Sequence, residues 1–194
     1  MSVRSAIKIL LIDDEEIVLE SCTAILRGEG YELATASDGT RGLALLREIR
    51  PDIVVVDLKM PGLSGFEVLA RIREADPTIV ALVMTGYATV QSAVEAMKRG
   101  AYDFLPKPFT PDEFRLIVRR SVEKRTLVLE TIALRREREL LREHFASIVS
   151  HELKAPLAAV QQNIFVLERE LAAAATEDQR GRLARIKVRI GDLL

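Results

Sequence analysis

Short apolar runs alternate with amphipathic stretches along the first 110 residues. The apolar runs occupy residues 7–12, 31–36, 53–56, 79–84 and 102–105. The stretches between them have the spacing of an amphipathic helix and occupy residues 15–27, 40–49, 65–75 and 89–99. This alternation predicts βα units built around a parallel sheet of five strands. Residues 53–56 are apolar throughout, which is typical of a strand that helices cover on both faces.

The pattern changes after residue 110. Pro111 suits the first turn of a fifth helix with Thr110 as its N-cap, and no Gly or Pro interrupts residues 112–155. An apolar residue recurs every seventh position at Leu127, Leu134, Leu141 and Ile148. A long helix with this repeat is typical of a coiled coil.

The end of the chain has the pattern of a helical hairpin. Apolar residues follow a heptad spacing over residues 157–171, and residues 172–175 predict a turn. Thr176 and Gln179 then match a capping box, and a second apolar stripe covers residues 183–193. One hairpin cannot bury its own stripe, so we expect a homodimer that forms a four-helix bundle. We also expect the chain to be a fragment that is truncated in this second helix.

Charge and cysteine content narrow the class of protein. The chain has 28 Lys and Arg against 29 Asp and Glu, a net charge of −1, and therefore lacks the strong positive field that favours nucleic acid or anionic lipid. The single cysteine, Cys22, excludes a disulfide framework. No apolar run reaches the roughly 18–20 residues of a membrane span, and the first residues do not have the pattern of a signal peptide, so we expect neither feature. We expect a cytoplasmic protein without a nucleic-acid partner.

Polar residues whose side chains can bind a metal ion or take part in a reaction follow the predicted strands. Asp13 and Asp14 follow the first strand, Asp57 the third, Thr85 the fourth and Lys107 the fifth. The carboxyl ends of parallel strands meet at one edge of the sheet, where α/β proteins bind ligands. Three carboxylates at close range repel one another, and a hard cation such as Mg²⁺ relieves this repulsion.

An ionised aspartate in this setting can act as a nucleophile toward phosphorus. Mg²⁺, Lys107 and Thr85 would then share the charge on the phosphoryl oxygens. The structural alternative is that each residue acts separately: an Asp as a helix cap, Thr85 in a turn and Lys107 in a loop. The occurrence of all of them at one edge favours the functional interpretation.

Over about residues 5–124 the sequence resembles the response-regulator receiver domain. The motifs that match are LLIDDEE, VVVDLKMPG, VMTGYA and LPKPF. The resemblance implies a flavodoxin-like fold with the parallel strand order 2-1-3-4-5 and a cognate phosphodonor. It also implies that Asp57 is the phosphoacceptor, and that Asp13, Asp14, Asp57 and the backbone carbonyl of Lys59 bind Mg²⁺.

The same resemblance implies roles for three further features. Thr85 and Lys107 contact the phosphoryl group, and the Lys107–Pro108 peptide bond is expected to be cis. Thr85 and Phe104 match the switch residues of the family, and Phe104 also fits a core position on the fifth strand. We assign the neighbouring Tyr102 to packing.

His151 is the second candidate phosphoacceptor. Helical spacing places it away from the main packing stripe, next to Glu152, which could accept a proton from its ring. Most exposed histidines on helices have no special function, and we assign none to His144. Pro156 removes one backbone hydrogen bond and is expected to bend the helix.

The segment HELKAPL resembles the H-box of histidine kinases, and about residues 140–194 resemble their dimerisation and phosphotransfer domain. The resemblance implies that His151 receives the γ-phosphoryl group of ATP with help from Glu152. Ala155 stands where many members have Thr or Asn, so phosphatase action by that route is not implied. The sequence has no ATP-binding motif, so ATP would act only through a domain that this chain does not contain.

Together these patterns predict a receiver domain at residues 1–124, a coiled-coil linker at 125–143 and a phosphotransfer hairpin at 144–194. We expect a two-component protein, part of a hybrid histidine kinase in which phosphorylation of Asp57 regulates phosphoryl transfer through His151. Its partners would be a kinase catalytic domain and a phosphodonor or downstream response regulator. The alternatives are a fragment of a receiver-controlled transcription regulator and a non-enzymatic relay or dimerisation protein.

Overall fold

A computed structural model describes residues 6–171 and 176–191. Within its helices it leaves out the side chains of residues 146, 147, 149–153, 155, 168, 170, 171, 190 and 191. The chain forms two compact units, Met1–Ile132 and Ala133–Leu194, and each is considered by itself.

The first unit alternates strands and helices as its periodicity predicts. Its elements are β1 (Lys8–Ile12), α1 (Glu16–Leu26), β2 (Glu32–Ala36), α2 (Gly39–Ile49), β3 (Ile53–Val56), α3 (Gly65–Ala75), β4 (Val80–Thr85), α4 (Val90–Lys98), β5 (Ala101–Pro106) and the start of α5 (Pro111–Leu171). All neighbouring strands are parallel, in the order β2-β1-β3-β4-β5. The predicted flavodoxin-like topology is therefore confirmed.

Two apolar cores cover the two faces of this sheet. One contains buried residues of α2, α3 and α4, and the other contains buried residues of α1 and α5. Successive residues of β3 alternate between them: Val54 and Val56 belong to the first core, and Ile53 and Val55 belong to the second. Because strand side chains point alternately to opposite faces, a strand between two cores must be apolar at every position.

Side-chain caps fix the starts of several helices. At α5, the hydroxyl of Thr110 accepts a hydrogen bond from the Glu113 backbone N–H at 3.3 Å. The Glu113 carboxylate in turn accepts one from the Thr110 backbone N–H at 2.7 Å. This reciprocal pair confirms the predicted cap and satisfies amide groups that have no partner within the helix.

Two helices account for the described part of the second unit. α5 continues through Pro156 to Leu171, and α6 spans Glu177–Gly191. The capping box predicted at Thr176 and Gln179 is present, with N···O distances of 3.0 and 3.4 Å. The predicted turn at 172–175 lies outside the described residues, and the four-helix bundle stays a prediction. Across residues 6–171 and 176–191, no helix is long and apolar enough to cross a membrane.

Candidate functional site

Three carboxylates meet at the carboxyl edge of the sheet. β1 and β3 are paired so that Ile12 lies opposite Val56, which makes Asp13 and Asp57 neighbours immediately beyond the two strands. Each of these residues and Asp14 offers a carboxylate oxygen, and these oxygens lie within 4.8 Å of one another. The predicted cluster is therefore present. Asp13 and Asp57 are buried, whereas Asp14 is exposed.

Lys107 supplies positive charge to this cluster from the end of β5. Its ammonium lies 2.6 Å from Asp13 Oδ2 and 3.0 Å from Asp57 Oδ2. A third contact joins it to Glu15 Oε1 at 3.2 Å. The lysine side chain is only 12% exposed, so solvent screens these contacts much less than it screens surface ion pairs.

The electrostatic balance of the cluster favours one more cation. Burial raises the pKa of Asp13, and repulsion from Asp57 adds to this effect, although the adjacent Lys107 ammonium and a hydrogen bond from the Glu15 backbone N–H act in the opposite direction. Burial alone would lower the pKa of Lys107, but its contacts with Asp13 and Asp57 outweigh that effect and raise it, which keeps the ammonium charged. The formal charges of Lys107, Asp13, Asp14 and Asp57 sum to −2, and Glu15 adds a further negative charge beside the lysine.

Atomic detail at Asp13 fits a divalent metal ion. Its Oδ2 is buried and accepts no hydrogen bond of regular geometry, even though the Lys107 ammonium lies close by. Its Oδ1 accepts a hydrogen bond from the Glu15 backbone N–H at 3.0 Å, which fixes the carboxylate. Mg²⁺ prefers such hard oxygen ligands and holds them through one or two carboxylates and water. The donor set therefore fits the predicted ion.

Thr85 and Lys107 are joined through the backbone. Thr85 ends β4 and is fully buried, and its carbonyl accepts a hydrogen bond from the Lys107 N–H at 2.8 Å. Its hydroxyl accepts one from the Tyr87 backbone N–H at 3.3 Å. The Lys107–Pro108 peptide bond is cis, as expected from the resemblance. The ends of β4 and β5 thus bring the hydroxyl and the ammonium to the same edge as the carboxylates.

The loop that follows β3 packs closely against Asp57, the candidate phosphoacceptor. The Lys59 backbone N–H donates to Asp57 Oδ1 at 3.2 Å, and the Gly65 N–H donates to the Leu58 carbonyl at 3.1 Å. A Cβ atom at Gly65 would lie 2.0 Å from the Asp57 carbonyl oxygen, so only glycine fits the first position of α3. The PGLSG segment, residues 61–65, carries the sequence signal for this close approach.

Sequence reasoning missed two residues at the site. Glu15 pairs with Lys107, and its position next to Asp13-Asp14 could have indicated this. Tyr87 forms a cation–π contact with Lys59, whose ammonium lies 3.1 Å from the ring centroid. No local pattern connects residues so far apart in the sequence. Glu15 and Tyr87 both line an open depression of about 430 Å³ beside Asp57.

The remaining predicted site residues lie away from this cluster. Phe104 is half-buried on β5 and packs against the core of α2, α3 and α4, whereas Tyr102 packs against the opposite core. Packing is thus established for both, and switching by Phe104 stays a prediction. His151 and Glu152 lie in α5, but their side chains are outside the described residues, so their roles also stay predictions.

A doubly wound α/β domain with buried carboxylates and a lysine at the carboxyl edge of its sheet has the arrangement of a receiver-type signalling domain. Residues 9–119 match the family model described as the response regulator receiver domain, and the chain belongs to this family. Receiver domains bind Mg²⁺, in agreement with the acidic cluster of Asp13, Asp14 and Asp57.

Similar curated proteins are regulatory proteins, and some of them are transcriptional regulators by name. The regulatory protein AtoC of Escherichia coli K12 is 36% identical over 123 residues, covering 63% of this chain and 27% of AtoC. The C4-dicarboxylate transport transcriptional regulatory protein DctD of Pseudomonas aeruginosa is 34% identical over 188 residues, covering 90% of this chain and 41% of DctD. The chain thus spans between a quarter and a half of the length of these relatives.

Solved structures agree with the fold. A receiver domain protein from Clostridium thermocellum is 35% identical with a TM-score of 0.60, covering 63% of this chain and 98% of that protein. NtrX from Brucella abortus, in complex with ADP, is 34% identical with a TM-score of 0.64, covering 67% of this chain and 30% of NtrX.

The prediction of a protein histidine kinase, and hence of a transferase, is wrong. The similar proteins are response regulators, and the similarity to DctD covers 90% of the chain, so it extends well beyond the receiver domain. The prediction rested on the segment HELKAPL and on the hairpin pattern of about residues 140–194. Regularly spaced apolar residues are common to all amphipathic helices, so the hairpin pattern does not by itself indicate a kinase. The expected absence of a nucleic-acid partner is also unsupported, because one similar protein is a DNA-binding response regulator by name. This protein, MtrA of Mycobacterium tuberculosis H37Rv, is 38% identical over 112 residues, covering 58% of this chain and 49% of MtrA.

Proposed function

We propose that this chain is the phosphorylation-controlled part of a transcriptional response regulator, with Asp57 as its phosphoacceptor. The observation that supports this most strongly is the contact of Lys107 with both Asp57 and Asp13 in a buried setting. The name of DctD, a transcriptional regulatory protein, supports the assignment to transcription. Control of transcription would require the DNA-binding activity that MtrA has by name.

The proposed chemistry is transfer of a phosphoryl group to a carboxylate. An Asp57 oxygen attacks phosphorus, the bond from phosphorus to the leaving group breaks, and the leaving group keeps the electron pair. Lys107 and the Thr85 hydroxyl would stabilise the negative charge on the phosphoryl oxygens. Mg²⁺ held by Asp13, Asp14, Asp57 and the Lys59 carbonyl would supply further charge neutralisation when bound.

Labelling with a small phosphodonor tests this function directly. Incubation with phosphoramidate and Mg²⁺ should add one phosphoryl group per chain, detected by intact-protein mass spectrometry. Asp57→Asn should abolish the product, because the amide is not a nucleophile of comparable strength. Asp112→Asn is a matched control, since that side chain is 95% exposed and lies in the first turn of α5. Undiminished labelling of Asp57→Asn would refute the assignment of Asp57.

We also infer that two copies of the chain associate through α5. The apolar side chains of the seven-residue repeat are exposed on this helix. Leu127, Leu134 and Leu141 are each more than 60% exposed, and Ile148 is 47% exposed. Apolar side chains at this spacing are stabilised when they pack against the same stripe of a second helix. The dimer would bring two receiver domains together on one pair of helices, and dimeric regulators commonly bind two DNA half-sites.

A further inference from the structure

A buried polar junction joins α5 to the sheet at the edge opposite the acidic cluster. At its centre is Arg125, which lies beyond the family match at residues 9–119 and is only 8% exposed. Its Nε donates to Asp52 Oδ1 at 3.0 Å, and its Nη1 donates to the Thr78 hydroxyl. A charged group buried in this way is stable only with well-placed partners, and Arg125 has two.

The partners of Arg125 are themselves held in place. Asp52 Oδ2 accepts a hydrogen bond from the Lys8 backbone N–H at 3.0 Å. The Thr78 hydroxyl donates to Asp76 Oδ1 at 2.6 Å, and the same oxygen accepts a hydrogen bond from the Thr78 backbone N–H at 2.8 Å. The junction is therefore a connected network between the helix and two loops, rather than an isolated surface ion pair.

These two loops begin the two strands that end at the candidate phosphorylation site. Asp52 directly precedes β3, which is followed by Asp57, and Thr78 lies two residues before β4, which ends at Thr85. The strands pair in register from Ile53 opposite Val80 to Val56 opposite Val83. Every residue of both strands is buried. Such close-packed elements move as units, so a shift at one end of a strand is transmitted to the other.

We propose that Arg125 is a positioning residue that couples phosphorylation of Asp57 to the part of α5 that follows it, residues 126–132. This inference rests on the proposed function. The planar guanidinium holds the beginnings of β3 and β4 at a fixed spacing and ties both to the helix. Movement of Thr85 toward a phosphoryl group on Asp57 would displace β4 relative to β3. The displacement would reach the helix through Thr78 and Arg125.

Hydrogen–deuterium exchange with the chain of 194 residues tests this coupling. Exchange is compared with and without Mg²⁺ and beryllofluoride, a mimic of the phosphoryl group, and Asp57 labelling by phosphoramidate is measured in parallel. In the wild type, the mimic should change the exchange rates of both the loop that follows β4, residues 86–89, and residues 126–132. In Arg125→Met, the rate of Asp57 labelling and the response of residues 86–89 should remain, whereas the response of residues 126–132 should be lost.

Two further variants separate coupling from simple stability. Arg120→Met removes another arginine of α5 from its ion pair with Asp103, at 3.3 Å, and should leave the response of residues 126–132 intact. Thr78→Val keeps the pair between Arg125 and Asp52 but removes the hydroxyl that links the arginine to β4. It should also lose the response, and thermal melting establishes whether each variant is folded. If Arg125→Met does not fold, Thr78→Val decides the outcome.

The possible results are distinct. A full response of residues 126–132 in folded Arg125→Met or Thr78→Val overturns the coupling. A wild-type chain that is labelled at Asp57 but shows no response in those residues also overturns it, while leaving the proposed function intact. A wild-type chain that phosphoramidate does not label contradicts the proposed function, and the coupling that rests on it is then overturned as well.

Discussion

At the scale of single residues, the acidic cluster combines groups that would be unfavourable alone. Asp13 is buried beside Asp57, and Lys107 offsets only part of their combined charge. The site is thus arranged to gain from a bound cation, because a ligand that binds only the folded state stabilises it. Glu15 adds a further carboxylate on the solvent side of Lys107.

Replacing Asp13 by Asn should raise stability in the absence of metal. Burial raises the pKa of Asp13, so the folded chain binds this proton more tightly than the unfolded chain does. Folding stability therefore falls as the pH rises through the interval between the two pKa values, and the cost is fully present above it. A neutral Asn removes that cost. We expect a gain of about 1 kcal/mol at neutral pH, measured by urea unfolding.

The same variant should lose its response to metal. Mg²⁺ at about 100 times its dissociation constant should stabilise the wild type by about 2.7 kcal/mol and Asp13→Asn much less. Asp38→Asn is the control, because Asp38 caps α2 and Asn is an equally good cap. Equal stabilisation of wild type and Asp13→Asn by Mg²⁺ would show that Asp13 does not contribute to the metal site.

At the scale of elements, hydrophobic periodicity predicted the first unit well. The predicted helix at 89–99 corresponds to α4 at Val90–Lys98, and the predicted strand at 79–84 corresponds to β4 at Val80–Thr85. These elements are specified locally, by spacing and caps. The carboxylates could be assigned to one edge because strand order and direction determine where strands end.

Contacts between distant elements could not be predicted in this way. Arg125 and Asp52 are 73 positions apart, and their pairing depends on how α5 crosses the sheet. The cation–π contact of Lys59 with Tyr87 similarly depends on the course of two loops. The periodicity of α5 gave its helical structure but not its function, because the same apolar spacing suits any helix that packs on one side.

The junction between β3 and α3 should not tolerate a side chain at Gly65. In Gly65→Ala the new Cβ would overlap the Asp57 carbonyl oxygen and approach Leu58 Cα to 2.7 Å, and both are backbone atoms that cannot rotate away. We expect a loss of about 1–3 kcal/mol in unfolding free energy, together with slower labelling of Asp57 by phosphoramidate.

Gly86→Ala provides the matched comparison for stability. Gly86 lies at the same edge of the sheet, and a Cβ there would have no neighbour within 4 Å. Its unfolding free energy should change by less than about 0.5 kcal/mol. Equal stability of the two variants would show that the close approach at Gly65 is readily relieved.

At the scale of the whole molecule, the open apolar repeat on α5 should determine the oligomeric state. Light scattering after size-exclusion chromatography should give twice the mass of the chain for the wild type. The double variant Leu134→Lys, Leu141→Lys should be monomeric, because charges at these positions would oppose one another across the helix pair. Glu139→Lys, which changes a polar position of the same stretch, should remain dimeric. A dimeric double variant would exclude this stripe as the interface.

The placement of β3 between two cores also determines which segments of the domain can change conformation without unfolding. Amide exchange in this strand requires both cores to open, so it should occur only with global unfolding. Asp57 directly follows this strand, whereas Asp14, Glu15 and Lys59 belong to loops. The strand provides a fixed point, and the conformational freedom that signalling needs resides in the segments around it.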